Sequence, residues 1–136
     1  MMRGMDVLER AINKSLDGVL AALTLRPCGK DCFAVEPARS GSSERVFGGQ
    51  LLAQAVVGAS ATVAEKDIHS LHATFMRAGT PGAPLTIEVA HLRDGRSIAT
   101  RKVAILEGGE LLLVAIASFA SFNLLLTGKS VNFFCV

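Results

Sequence analysis

Residues 45–63 read RVFGGQLLAQAVVGASATV, and this stretch decides the fold. Leu51, Leu52, Ala55, Val56 and Ala59 recur at helical spacing, while Ala53, Val57, Gly58 and Ala61 fill most of the other sides. A helix apolar nearly all round is buried in protein or in lipid. This one is too short to cross a bilayer, which takes about 20 apolar residues. Its small side chains let neighbouring backbones come close. The stretch therefore predicts a central helix with sheet wrapped around it. The helix opens on Gly48 and Gly49, followed by Gln50. A helix start presents unpaired N–H groups and a partial positive charge, and glycines admit a ligand to the backbone. One reading is a site for a carbonyl oxygen that becomes negative during reaction. The other is a sharp loop-to-helix turn against the sheet, which local sequence alone favours.

Upstream, Ser15 to Leu23 reads as a short amphipathic helix capped by Ser15, with Asp17 in the first turn and Leu16, Leu20 and Leu23 on one side. A hairpin follows. Its turn is Gly29-Lys30-Asp31, and its second strand runs from Cys32 to Ala38 with Phe33 and Val35 on one face. Residues 39–44, RSGSSE, form a polar loop. Downstream the pattern changes to period two. Ile68 to Arg77 alternates with Leu71, Ala73 and Phe75 together, and Leu85 to Arg93 with Leu85, Ile87 and Val89 together. AGTPGAP, residues 78–84, breaks the chain between them. Asp94-Gly95 predicts a two-residue hairpin into Ser97–Leu106, and Gly108-Gly109 predicts another into Leu111–Phe119. That last strand is apolar on both faces and calls for a second covering layer, another domain or subunit. The class is α+β, an antiparallel sheet curved over one long helix.

With 136 residues, half of them hydrophobic, the chain fits one domain with a core of its own. A net charge of +2 and the absence of Tyr and Trp argue against nucleic acid. The opening MMRGMDVLERAINKSLD alternates charge and does not read as a signal peptide. Cys28, Cys32 and Cys135 are an odd set, which fits a reducing, cytoplasmic setting. Cys28 and Cys32 have no second Cys/His pair at zinc spacing, so no metal is expected. The longest apolar run, Leu111 to Leu126, contains Ser118, Ser121 and Asn123 and is short for a membrane span. The tail from Ser121, SFNLLLTGKSVNFFCV, continues no earlier pattern and reads as an extra strand or a foreign end.

Few residues stand out for chemistry. Gln50, near the helix mouth, is the better functional candidate, and Gln54, one turn on, is expected to tie the helix to neighbouring loops. His69 falls on the Leu71/Ala73/Phe75 face and His72 on the other; either a catalytic or a structural role suits them. His91 has no evident partner. Asp67, Glu88, Asp94 and Glu107 are expected in solvent. Arg77, Arg93, Arg96, Arg101 and Lys102 gather in the strand region, either to meet the phosphates of a nucleotide-like ligand or as a solvated sheet edge.

VFGGQ, HSLHATFMRAG, LRDGRSIATRKV and ASF, in this order, resemble the acyl-CoA thioesterase II family, and more closely the first of its two hotdog repeats. The match runs from about Leu16 to Phe119. The division it implies is an N-terminal extension (1–15), a hotdog domain (16–120) and an atypical hydrophobic tail (121–136). The resemblance implies hydrolysis of fatty acyl-CoA to free acid and CoA, with no metal or other cofactor. The family's Asp, Ser/Thr and Gln catalytic set belongs to the second repeat, so no residue here carries over as the catalytic aspartate. After ASF the family usually has Gln, where this chain has Ala120. His69 and Gln50 carry over as half-site catalytic candidates, and Gly48 and Gly49 as the helix start that helps polarise the thioester; Arg77 is the candidate for substrate phosphate. The expected partners are acyl-CoA and a second copy or complementary hotdog domain docked through Leu111–Phe119, with neither nucleic acid nor membrane. A non-catalytic acyl-CoA or acyl-chain binding module is the alternative, and an inert, aggregating fragment a third.

Overall fold

A computed structural model describes residues 2–35, 48–121 and 132–135. A helix, α1 (Met2–Leu23), leads into a hairpin of β1 (Arg26–Gly29) and β2 (Cys32–Val35). The central helix α2 (Gly48–Ser60) follows, then β3 (Asp67–Phe75), β4 (Leu85–Asp94), β5 (Ile98–Glu107), β6 (Glu110–Ala120) and a short β7 (Asn132–Cys135). The strands form one open sheet in the order β1-β2-β4-β5-β6-β3-β7. Every neighbour is antiparallel except β7, which runs parallel to β3.

Within the quoted stretch, α2 (Gly48–Ser60) is the interior element it was expected to be. Leu51, Gln54, Ala55, Gly58 and Ala59 are buried, and Gln50, Leu52, Ala53, Val56 and Val57 are half-buried. The period-two alternation of the strands supplies the other side of the core. Leu71 and Ala73 of β3, Leu85, Ile87 and Val89 of β4, Val103 and Ile105 of β5, and Ala115, Ala117 and Phe119 of β6 form one cluster with the helix. Complete burial of Ile87 and Ile105 contributes about 2 kcal/mol each. The Gly108-Gly109 turn forms as its sequence requires. Both φ angles are positive, 56° and 83°, the mirror-image turn that matches strand twist.

Three local expectations are corrected. Helix α1 begins at Met2, so Ser15 is an interior helical residue and not its cap. The β4–β5 loop is Gly95-Arg96-Ser97, closed by Gly95 N–H donating to Ile98 O at 2.8 Å, so Asp94 belongs to the strand. The register slips between Ile68 and Ser70. Such a bulge adds a residue and reverses the alternation, so Ile68 packs on the core and His69 does not share the Leu71/Ala73 face. Strand β6 is an inner strand between β5 and β3. Its Leu113, Ala115, Ala117 and Phe119 are buried, and on its other face Ile116 is 37% exposed. The second strand of the first hairpin is described only to Val35, and the polar loop 39–44 lies outside the described residues.

Helix α1 docks at its C-terminal end. Ala22 is buried, and its carbonyl accepts Gln54 Nε2–H at 2.9 Å. The Thr24 hydroxyl donates to Leu20 O at 2.7 Å. Two carbonyls that a helix C-terminus leaves unpaired are thereby satisfied. Gln54 ties α2 to this helix end, close to its expected tethering role. Val7, Leu8, Leu16, Val19 and Leu20 of α1 remain exposed. Among the described residues no helix is long and apolar enough to cross a membrane.

Candidate functional site

The start of α2 meets the end of β3 at a cavity of about 360 Å³, lined by Gly48, Leu51, Phe75, Met76, Arg77, Ala78 and Gly79. That volume lies in the range of small-ligand pockets. The sequence builds it from three features. Gly48 lets the Phe75 ring lie against the helix start, where a Cβ would meet Phe75 Cζ at 3.3 Å. The apolar Leu51 supplies one wall. The chain leaving β3 is pinned to β6, Met76 and Arg77 N–H both donating to Leu112 O, at 2.8 and 3.4 Å. Beyond it the turn-rich break is fastened by Glu107, whose carboxylate accepts Thr80 N–H at 2.8 Å and the Thr80 hydroxyl at 3.2 Å.

Arg77 is the cation of this rim, and it ion-pairs with the exposed Glu110 at the start of β6. The lining combines apolar surface, the helix start and one guanidinium. No acid and no histidine is among the lining residues. Such a surface can hold an acyl chain, polarise a carbonyl and meet an anion, but it brings no proton acceptor.

The sequence-derived candidates are only partly gathered here. Gly48 and Arg77 line the cavity, while Gly49 and Gln50 stand in the helix's first turn, half-buried and outside its lining. His69 is near the opposite end of β3 from Phe75. Its Nε2 is 2.8 Å from the Ser118 hydroxyl, on the side of β6 opposite Ala117 and Phe119. His72 is exposed on that same outer face, paired with Ile116.

Two features escaped the reading of the sequence. His91, without an evident partner in the sequence, sits between two carboxylates: Nε2 is 3.0 Å from Asp31 Oδ2 and Nδ1 is 3.1 Å from Asp94 Oδ2. Arg101 belongs to neither a phosphate site nor a solvated edge. It is buried and donates to Thr62 Oγ1, Thr62 O, Arg93 O and Thr100 O, and to Asp94 Oδ1 at 2.6 Å. The Arg101 hydrogen bond, and then that of His91, hold the Asp94 carboxyl below its ordinary value of 3.8. Cys28 and Cys32 are free thiols whose Sγ atoms lie 2.8 Å apart, and among the described residues no group of three or more metal-ligating side chains occurs.

Comparison with known proteins matches residues 34–120 to the family model described as the acyl-CoA thioesterase N-terminal domain. Acyl-coenzyme A thioesterase 8 of Homo sapiens is 37% identical over 106 residues, 74% of this chain and 32% of that protein. Among solved structures, the tesB protein of Mycobacterium avium subs paratuberculosis is 33% identical with a TM-score of 0.71, covering 76% of this chain and 42% of that one. Zebra fish thioesterase superfamily member 2, at 17% identity and a TM-score of 0.62, shares the fold over 75% of this chain and 83% of its own. The helix sheathed by an antiparallel sheet is thus the hotdog fold. The chain spans about a third of the length of the curated relatives it matches, 32% for the first two.

Proposed function

The chain belongs to the acyl-CoA thioesterase family, in the part described as its N-terminal domain, and from that premise we propose that it binds fatty acyl-CoA at the α2 mouth as half of a hydrolytic site. The observation that carries this reading is the cavity itself. The start of α2, the apolar Leu51 and Phe75, and the Arg77 guanidinium meet within one lining. The acyl chain follows the apolar wall, the thioester carbonyl meets the helix start, and Arg77 meets a phosphate of the CoA portion. Gln50 and Gly49 support the same helix start.

Hydrolysis also requires a group that takes a proton from water. No lining residue offers one, and His69 hydrogen-bonds Ser118 at the far end of β3. We therefore read the isolated chain as a binding half. The complementary carboxylate comes from another hotdog domain, and His69 serves a neighbour's site or steadies the β3–β6 pairing. The outer face of β6 around Ile116 is the surface offered to that neighbour. Two free thiols suit a reducing compartment, and we place the protein in the cytoplasm, although one relative is named a peroxisomal acyl-coenzyme A thioester hydrolase.

Calorimetric titration with a long-chain acyl-CoA, paired with a thiol-release assay, tests this. Saturable binding without CoA release is expected of the purified chain. Turnover near an ordinary enzyme rate of about 10 per second by the chain alone would contradict the half-site reading, and absence of binding would contradict both parts.

A further inference from the structure

Away from the cavity, at the opposite side of the sheet, the β1–β2 hairpin carries a pair of thiols. Cys28 is exposed and Cys32 half-buried, with 2.8 Å between their sulfur atoms. A disulfide bond is about 2.05 Å long, so bonding requires a sulfur displacement of under about 1 Å. The turn between the two cysteines is anchored from both sides. Asp31 holds a left-handed φ of 53°, and its carbonyl accepts Val89 N–H at 2.9 Å. Its carboxylate pairs with His91, which Asp94 holds from the other ring nitrogen. Cys32 is itself fixed in register with Glu88 of β4. The clamped turn thus holds the Cys32 side of the pair, and Cys28 faces it from the register shift between Pro27 and Gly29.

Their environments differ. The hydrogen bond between them, then desolvation, then the charges of Cys28 and Glu88, push the Cys32 thiol up to about 11. Cys32 is thus held protonated against its neighbour, while Cys28 faces solvent on an edge strand whose four residues are all exposed. One thiol is placed to attack and the other to follow.

We propose that Cys28 and Cys32 form a reversible dithiol–disulfide modification site whose co-reactant is a low-molecular-weight disulfide. The Cys28 thiolate attacks one sulfur of the small disulfide, whose S–S bond breaks; one small thiolate leaves and a mixed disulfide stands on Cys28. Cys32 then gives up its proton and attacks the Cys28 sulfur, and the second small thiolate leaves. Two electrons and two protons pass from the protein to the small molecule: the protein pair is oxidised to a disulfide and the small disulfide is reduced to two thiols. The new bond joins the edge strand β1 covalently to β2.

The test uses the full chain carrying Cys135→Ser, which removes the third thiol, in buffers of oxidised and reduced glutathione. After acid quenching and alkylation, trypsin cuts at Lys30, between the two cysteines. Their peptides then travel together in mass spectrometry only if they are bonded. A linked pair that dithiothreitol separates is expected. Adding Cys32→Ser should trap a stable glutathione adduct on Cys28, and adding Cys28→Ser should abolish the linked pair. Separate glutathione adducts on both cysteines without a linked pair, or no adduct on Cys28 in the Cys32→Ser chain, would overturn the proposal. Unchanged circular dichroism of both serine variants confirms that the comparison is made on the same fold.

Discussion

Arg101 places a guanidinium where only 2% of its side chain meets solvent. Its fork reaches across three segments: Thr62 beyond the end of α2, Arg93 and Asp94 at the end of β4, and Thr100 on its own strand. Removing it strands several of these acceptors inside the protein. Arg101→Met should therefore lower stability by about 3 kcal/mol in urea titration, and Arg101→Lys by most of that, because one ammonium cannot reproduce a planar fork. Asp94, by contrast, is 58% exposed, so its replacement should be mild at neutral pH. The direction of its pH dependence is nevertheless set. A carboxyl held below its unfolded value stabilises the fold above that value and loses the contribution as pH falls through the folded one. The stability gap between Asp94→Asn and the parent should be full near neutrality and shrink below pH 3.8; a gap that widens on acidification would refute this account. A similar exchange governs the cavity rim. Glu110 competes for Arg77, and exposed ion pairs are weak, so Glu110→Gln should tighten CoA binding about twofold to threefold and Arg77→Gln should weaken it. Arg101 was in part legible from its place in the alternation Ala99, Arg101, Val103, Ile105. An arginine among core positions signals a buried, bonded cation. His91 was only half legible: Asp94 lies three residues on, but Asp31 reaches it from a hairpin 60 residues away in sequence.

At the level of elements, what the sequence showed well was periodicity. The α2 stripe, the alternation of β4 and the double glycine before β6 all depend on neighbours in the chain, and each appears where its pattern put it. What it hid was irregularity. A bulge at His69 has no local signature, and its effect, turning a histidine away from the core face, arises from pairing with β6. The start of α1 was hidden for a related reason: no cap marks Met2, and the exposed Val7 and Leu8 show that tertiary burial does not define this end. The tail resolves in part into β7, which pairs in parallel with the outer edge of β3. An unpaired edge offers a row of N–H and C=O groups to another chain. A chain ending at Ser121 should therefore expose β3 and form discrete dimers or larger assemblies by light scattering, while the full chain stays smaller at equal concentration. If truncation reduces assembly instead, the tail is the adhesive element and β7 does not protect the edge.

For the molecule as a whole, sheet coverage and chemistry point the same way. The concave face is filled by α2, but the convex face shows Ile116, His72 and Lys102 to solvent, and α1 shows a further apolar stripe. The cavity has an anion contact and a helix start without a proton acceptor in its lining. Both are what a half would show when the matched region covers 32% of the relatives' length. Mixing the purified chain with the part of acyl-coenzyme A thioesterase 8 that lies beyond the matched region makes the dependence measurable. Enhanced CoA release is expected from the mixture relative to either piece, with a rate that saturates as the chain is added. Gly48→Val in the chain should abolish the enhancement, since its side chain would enter the space of the Phe75 ring at the helix start, while a Cys28→Ser chain should retain it. If the mixture releases CoA no faster than the longer piece alone, although light scattering shows the two bound, the cavity at α2 is not half of a catalytic site. The chain would then be an assembly domain whose pocket only binds.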